Sequence, residues 1–321
     1  MNDDHDHDTR HHPWPIAPGG ADPVRTPATT AIVTVNHNTG DLIAQLIWTL
    51  YRTLGPDGFA RILVVDNAST DGSRPILRAL ADDGLIELIE RDRNPYHGPG
   101  LNAAFDHLAR NRHNEGLLID AVWVLDSDCV VLRPDALALA TTVMTETSAA
   151  LVGQPVWDEW NGGTFGVHAL LVDPAIVWRD PLAPFEEHGE PSRHLQESVI
   201  AGGLTMTPFP FTADGHIVHL GRGTLARVAA MEERDNRYFE WAQDHAAPHY
   251  TEEPSAEGAY ATIHAAFARE IPALDSQSVV AAIRRAADDS GFRKQYPPPV
   301  IPVAHRRERS DEGSPGGSVQ R

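Results

Sequence analysis

Four short apolar runs punctuate the first part of the chain: Ala31–Val35, Arg61–Val65, Leu85–Ile89 and Val122–Leu125. Each is rich in Val, Ile and Leu at nearly consecutive positions, the pattern of a strand buried on both faces. Between them apolar residues fall at helical spacing. Leu42, Ile43, Leu46, Ile47 and Leu50 form one stripe, Ile76, Leu77 and Leu80 a second, and Leu101, Phe105 and Leu108 a third. Strands alternating with helices predict a parallel, doubly wound α/β sheet. The polar segments Asn36–Gly40, Asp66–Ser73, Arg91–Gly100 and Asp126–Asp128 follow the four strands in turn, which is where open α/β sheets place their ligands.

The pattern loosens downstream. Ala149–Gly153 and Thr164–Val172 read as strands, Leu204–Phe211 as an extended stretch, and Gly215–Thr224 as a strand leading into a Gly-rich loop. Helical spacing returns with Tyr260, Ile263, His264 and Phe267, and again with Val279, Val280 and Ile283. Residues 1–28, with five prolines, and 294–321, with Pro-rich and charged runs, read as disordered tails. The expected organisation is a domain over 29–224, split into halves 29–132 and 133–224, followed by a helical extension over 225–293. That extension has three uses open to it: packing on the domain, covering an acceptor, or a homodimer contact.

Composition narrows the function classes. A formal net charge of −19 at pH 7 argues against a nucleic-acid partner and against docking on anionic lipid by bulk charge. The lone cysteine, Cys129, lies inside an apolar run and reads as a small buried hydrophobe. No apolar run reaches the ~18 residues of a transmembrane helix, no secretory h-region opens the chain, and no intrachain disulfide can form, so the expected location is cytoplasmic. His5, His7, His11 and His12 belong to the solvated N-terminal tail.

The chemistry concentrates at Asp126-Ser127-Asp128. Two carboxylates at the end of a buried strand are costly unless paired, and Asp-x-Asp offers hard oxygen ligands to Mg²⁺ or Mn²⁺. Taken alone, the same residues also read as a turn with capping aspartates, since Arg133-Pro134 follows. Gly98-Pro-Gly100-Leu-Asn-Ala103 matches a dinucleotide fingerprint superficially, but it does not follow the first strand. A Gly-rich loop before a helix N-terminus remains a contact for a diphosphate or ribose.

Taken in order, AIVTVN (31–36), VVDNASTDGS (64–73), NPYHGPGLNAAF (94–105) and VLDSDCVV (124–131) resemble the family 2 glycosyltransferases of the GT-A fold. The resemblance is close over about residues 30–132 and looser to about 223. It implies a GT-A, Rossmann-like, mostly parallel sheet and a nucleotide-sugar donor lying over the strand ends. Thr34, Asn36 and Asp66 would then meet the nucleoside, Asp66 as an acceptor for a base imide N–H, as the anchor of an Asx-turn, or as both at once. Asn94, Gly98, Gly100 and Asn102 would lie near the ribose and diphosphate. Asp126 and Asp128 would hold Mn²⁺ or Mg²⁺, with His219 completing the metal shell and Arg222 facing the diphosphate. Trp157 and Trp160 are candidate platforms for an acceptor sugar, or core residues beneath a loop. The acceptor itself, a hydroxyl on a glycan, lipid-linked or small molecule, is not specified.

The acceptor side departs from the family pattern. Pro191-Ser192 stands where relatives place an acidic pair whose Asp serves as general base in an inverting transfer. Glu190 is the first substitute and His194 the second. Two rival functions follow. A sugar-phosphate nucleotidyltransferase would need a basic, Gly-rich loop after the first strand, which His37-Asn38-Thr39-Gly40 does not supply. A catalytically inactive sugar-nucleotide-binding protein would explain the displaced acidic pair.

Overall fold

The computed structural model describes residues 26–115, 119–156, 164–177, 185–187, 191–221 and 254–288. Its centre is a seven-stranded sheet. In chain order the strands are β1 (Thr30–Asn36), β2 (Arg61–Asn67), β3 (Glu87–Arg91), β4 (Ala121–Leu125), β6 (Ala149–Pro155), β7 (Phe165–Val172) and β8 (Thr205–Pro208), and in space they run β3-β2-β1-β4-β7-β6-β8. The first four are mutually parallel; β7 is antiparallel to both β4 and β6. A separate antiparallel pair joins β5 (Cys129–Val131) to β9 (Ile217–His219). The run that ends β4 therefore does not resume in the same sheet. It turns at Asp126–Asp128 and enters this small ribbon.

Among the described residues eight α-helices flank the sheet: α1 (Gly40–Thr53), α2 (Ser73–Asp82), α3 (His97–Glu115), α4 (Ala136–Glu146), α5 (Pro174–Val177), α6 (Arg193–Ala201), α7 (Pro254–Glu270) and α8 (Ser276–Asp288). Ile32, Val64 and Trp123 face one core, shared with α1, α2, α4, α7 and α8. Val33, Val35, Leu63, Val65 and Val124 face the other, shared with α3 and α6. Successive side chains point to opposite faces and both faces are covered, so the strands are apolar at nearly every position.

One expectation changes and one open choice is narrowed. The helix after β3 begins at His97 rather than Leu101, so Gly98, Pro99 and Gly100 form its first turn. Pro is tolerated there because first-turn N–H groups have no intrahelical partner. The C-terminal helical region, where described, packs on the chain's own core, one of the three uses open to it: Phe267 of α7 meets Trp48 of α1 edge-on at 5.7 Å, and Arg284 of α8 pairs with Asp83. Among the described residues no helix is long and apolar enough to cross a membrane.

Candidate active site

The C-terminal ends of β1 and β2 lie side by side, Asn36 opposite Asp66. Both are fully buried, and a hydrogen-bonded net ties them together. Asn36 donates to Asp66 Oδ1 (2.9 Å) and to Ser69 Oγ (3.0 Å). Asp66 also accepts from the Ser69 hydroxyl (2.6 Å), the Ser69 N–H (3.1 Å) and Arg74 Nε (2.9 Å). An ionised carboxylate has about four acceptor sites, and four donors occupy them here. Asp66 thus holds the β2–α2 turn, the second of the two roles open to it in the sequence. Ala68 in that turn and Asn38 in the β1–α1 turn both adopt positive φ, 56° and 55°. Such backbone is uncommon outside Gly and clusters at functional sites. Thr34 is buried on β1, and its hydroxyl has no hydrogen-bond partner among the described residues.

The β3–α3 loop closes over these ends. Asn94 caps it by accepting the Tyr96 N–H at 2.9 Å, and Tyr96 is held at φ 73° while its carbonyl accepts from Asn67 Nδ2 at 2.9 Å. The glycines of the first turn of α3 are explained by close approach. A Cβ on Gly100 would stand 2.9 Å from Val35 and 3.1 Å from Asn67 Nδ2; one on Gly98 would stand 1.6 Å from the Glu186 carbonyl oxygen. Asn102 uses both ends of its carboxamide on Phe185, donating to its carbonyl (2.8 Å) and accepting from its N–H (2.9 Å). Gly98 and Asn102 are thereby occupied in docking the segment 185–187 onto α3.

Beyond β4, three acidic or basic groups converge. Pairing of Cys129 with His219 across the β5–β9 ribbon sets His219 beside Asp128. His219 Nε2 lies 3.2 Å from Asp128 Oδ1 and 3.4 Å from Asp126 Oδ2. Thr39 joins the Asp126–Asp128 turn to the first site, its hydroxyl lying 2.7 Å from Asn36 Oδ1 and 3.0 Å from Ser127 Oγ. Two histidines not singled out by the sequence complete the cluster. His97, the first residue of α3, places Nε2 3.5 Å from Asp126. His168 of β7 stacks face to face on His219, ring centres 4.3 Å apart and 4° from parallel. Its carbonyl accepts the Asp126 N–H (3.2 Å) and the Cys129 thiol (3.3 Å). The available signal for His168 was its polarity within the apolar run TFGVHALLV.

The electrostatics follow from burial against pairing. Burial opposes a charge on His219, but Asp128 and Asp126 outweigh it and raise its pKa. Burial likewise opposes ionisation of Asp126, while His97 first, then His219 and His168, hold it well below the usual carboxylate range. His168 is pushed down to about 3 by burial and by the charge on His219, so it stays neutral. The Cys129 thiol is pushed well up by burial and by the adjacent carboxylates.

The donor set fits a hard divalent cation. Asp128, Cys129 and His219 offer ligand atoms within 4.8 Å of one another. Cys129 is protonated and engaged with His168, so oxygen from Asp126 and Asp128 and nitrogen from His219 are the suited ligands. Asp126 Oδ1 is buried without a hydrogen-bond partner among the described residues, an acceptor position a cation would satisfy.

Of the acceptor-side expectations, Glu190, Trp157, Trp160 and Arg222 lie outside the described residues. His194 stands in the first turn of α6 with Nδ1 2.7 Å from Glu186 Oε1.

Comparison with known proteins adds three findings. The family model for glycosyl transferase family 2 matches residues 31–208. Similar solved structures include the mannosyltransferase PcManGT from Pyrobaculum calidifontis with GDP-Man and Mn²⁺ (18% identity, 86% of this chain and 90% of that one, TM-score 0.47). They also include S. aureus TarS 1-349 (13%, 84% and 92%, TM-score 0.45), and glucosyl-3-phosphoglycerate synthase from Mycobacterium tuberculosis with Mn²⁺, UDP and glucosyl-3-phosphoglycerate (17%, 64% and 79%, TM-score 0.41). No curated protein matches the sequence.

Proposed function

The chain belongs to glycosyl transferase family 2, and from that premise we propose that it is a metal-dependent enzyme moving a hexose from a nucleotide sugar to a hydroxyl acceptor, with inversion. The observation that carries the metal-dependent part is the convergence of Asp126, Asp128 and His219 at the end of β4. Mn²⁺ or Mg²⁺ held by these three would act as a Lewis acid on the leaving diphosphate. The chain's own residues prepare the rest. The β5–β9 ribbon and the His168 ring fix His219, and His168's carbonyl fixes the Asp126 backbone. The N-terminus of α3, whose first residue His97 reaches Asp126, is a favourable environment for phosphate oxygens. Thr34, Asn36 and Asp66 form the floor for the nucleoside, with Asn94 and Gly100 shaping the loop above it and Arg222 a candidate diphosphate partner.

The test is a thermal-shift screen of UDP, GDP, dTDP and CMP with Mn²⁺, followed by a panel of nucleotide sugars read out as nucleotide release. A ligand at 100 times its dissociation constant adds ~2.7 kcal/mol. Stabilisation by one nucleoside diphosphate, dependent on Mn²⁺, is expected; no stabilisation by any of them overturns the proposal. Asp128→Asn should abolish turnover while the variant keeps the wild-type circular dichroism spectrum; a fully active variant overturns the metal assignment. Nucleotide binding without turnover on a broad panel would favour the rival, a sugar-nucleotide-binding protein.

A further inference from the structure

The segment 185–187 is anchored at four points. Phe185 is buried against Phe105, ring centres 5.3 Å apart. Its N–H and C=O are both taken by Asn102, which imitates a strand partner. The Glu186 carbonyl rests on the bare Cα of Gly98, and the Glu186 N–H donates to Pro191 O at 2.8 Å. Glu186 therefore sits one residue along from His97, whose ring reaches Asp126.

α6 approaches the same place from the other side and is held just as firmly. Gln196, fully buried, accepts from Phe165 N–H (2.7 Å) and donates to Phe165 O (2.8 Å), fixing α6 to the start of β7. That strand also carries His168. One frame thus positions the Asp126–Asp128 turn and His194. Between the two anchored pieces, Glu186 Oε1 meets His194 Nδ1 at 2.7 Å. A carboxylate there selects the Nδ1–H tautomer and leaves a lone pair on Nε2. Glu197 Oε2 lies 3.9 Å from Nε2, beyond hydrogen-bond distance. The imidazole is 56% exposed, open to an incoming substrate.

Resting on the glycosyl-transfer proposal, we propose that Glu186 and His194 form a carboxylate–imidazole dyad that activates the acceptor, in place of the acidic pair at whose position this chain has Pro191-Ser192. His194 Nε2 takes the proton of the acceptor hydroxyl as that oxygen bonds to the anomeric carbon. The bond from that carbon to the diphosphate oxygen breaks, its electron pair leaving with the nucleoside diphosphate, and His194 then returns the proton to solvent. Glu186 is a positioning residue that acts through His194. The assignment also explains why the start of α3 carries Gly98 and the segment-binding Asn102: both hold Glu186 in place.

Three readouts on the full chain decide it. Imidazole ¹⁵N spectra of the wild type should give the Nδ1–H tautomer for His194, and Glu186→Gln should lose that preference; an Nε2–H tautomer in both overturns the dyad. With the sugar nucleotide the wild type turns over, and water as acceptor, His194→Ala should lower kcat by ~10²-fold with donor KM within twofold, and added imidazole should restore part of it. Glu186→Gln should lower kcat by about tenfold through the lost orientation, with Glu186→Asp intermediate. An unchanged kcat in His194→Ala overturns the proposal. Thermal shifts with UDP or GDP and Mn²⁺ should be the same in every variant. A wild type stabilised by neither nucleotide sinks the glycosyl-transfer reading instead, while the tautomer still decides the dyad.

Discussion

At the scale of single residues, Asp66 shows how one side chain serves a site through the turn it holds. Its carboxylate is fully buried and accepts from Asn36, twice from Ser69, and from Arg74. Removing its charge leaves Arg74 and the turn without their anchor, so Asp66→Asn should cost about 3 kcal/mol in the ligand-free protein, measured by urea unfolding. A group kept only to read a nucleobase would leave ligand-free stability unaltered. The residue types at the strand ends were legible in the sequence because each ends an apolar run with a polar side chain. Their partners were not: the turn role of Asp66 depends on Arg74 and Asn36, and the role of His168 depends on a ring contact with His219 across 51 positions of chain.

At the scale of elements, the four parallel strands and the helices between them followed from apolar spacing alone, since each unit is local and both sheet faces are covered. The start of α3 did not, because two glycines and a proline ordinarily mark a loop. Contacts from outside the helix decide it: Val35 beneath Gly100 and the Glu186 carbonyl against Gly98 leave no space for a Cβ. Gly98→Ala separates docking from helix formation. Alanine is the better helix former by up to ~1 kcal/mol, yet its methyl must displace the segment 185–187. Turnover should fall at least tenfold and the urea midpoint should fall despite the better helix former, because the displaced segment carries buried Phe185; retained activity would mean that the segment can sit elsewhere. The ribbon of β5 and β9 was equally hidden, since an apolar run that pauses for three residues reads as one strand continued.

At the scale of the molecule, α7 and α8 close the face that α1 and α2 would otherwise expose. Of the three uses open to the C-terminal helices, packing on the chain's own core is the one the described residues adopt. That choice rests on contacts between residues more than 200 positions apart, such as Arg284 with Asp83, which no local pattern encodes. Beneath this cover Tyr51 donates to the Leu85 carbonyl at 2.6 Å, and burial pushes its phenol up to about 12. A folded-state pKa above the unfolded value of about 10 gives a stabilisation present in full below pH 10 and lost as pH rises through 12. Spectrophotometric titration should find one of the six tyrosines ionising late, and Tyr51→Phe should remove that step along with part of the alkaline fall in melting temperature. A titration in which all six ionise together would mean that α1 does not bury the phenol.

The single thiol offers a way to watch the Asp126–Asp128 turn without any substrate. Cys129 is completely covered, its S–H donated to the same His168 carbonyl that holds Asp126. A disulfide reagent can reach it only when the β5–β9 ribbon or its contact with the His168 carbonyl opens, so the labelling rate counts openings around the Asp126–Asp128 turn. Labelling of the native protein should be orders of magnitude slower than of the urea-unfolded chain, and slower again with Mn²⁺ present. Equal rates would mean that the turn stands open. Because the sequence has no second cysteine, the chain carries a one-site stopwatch at the centre of its chemistry, ready for use without engineering.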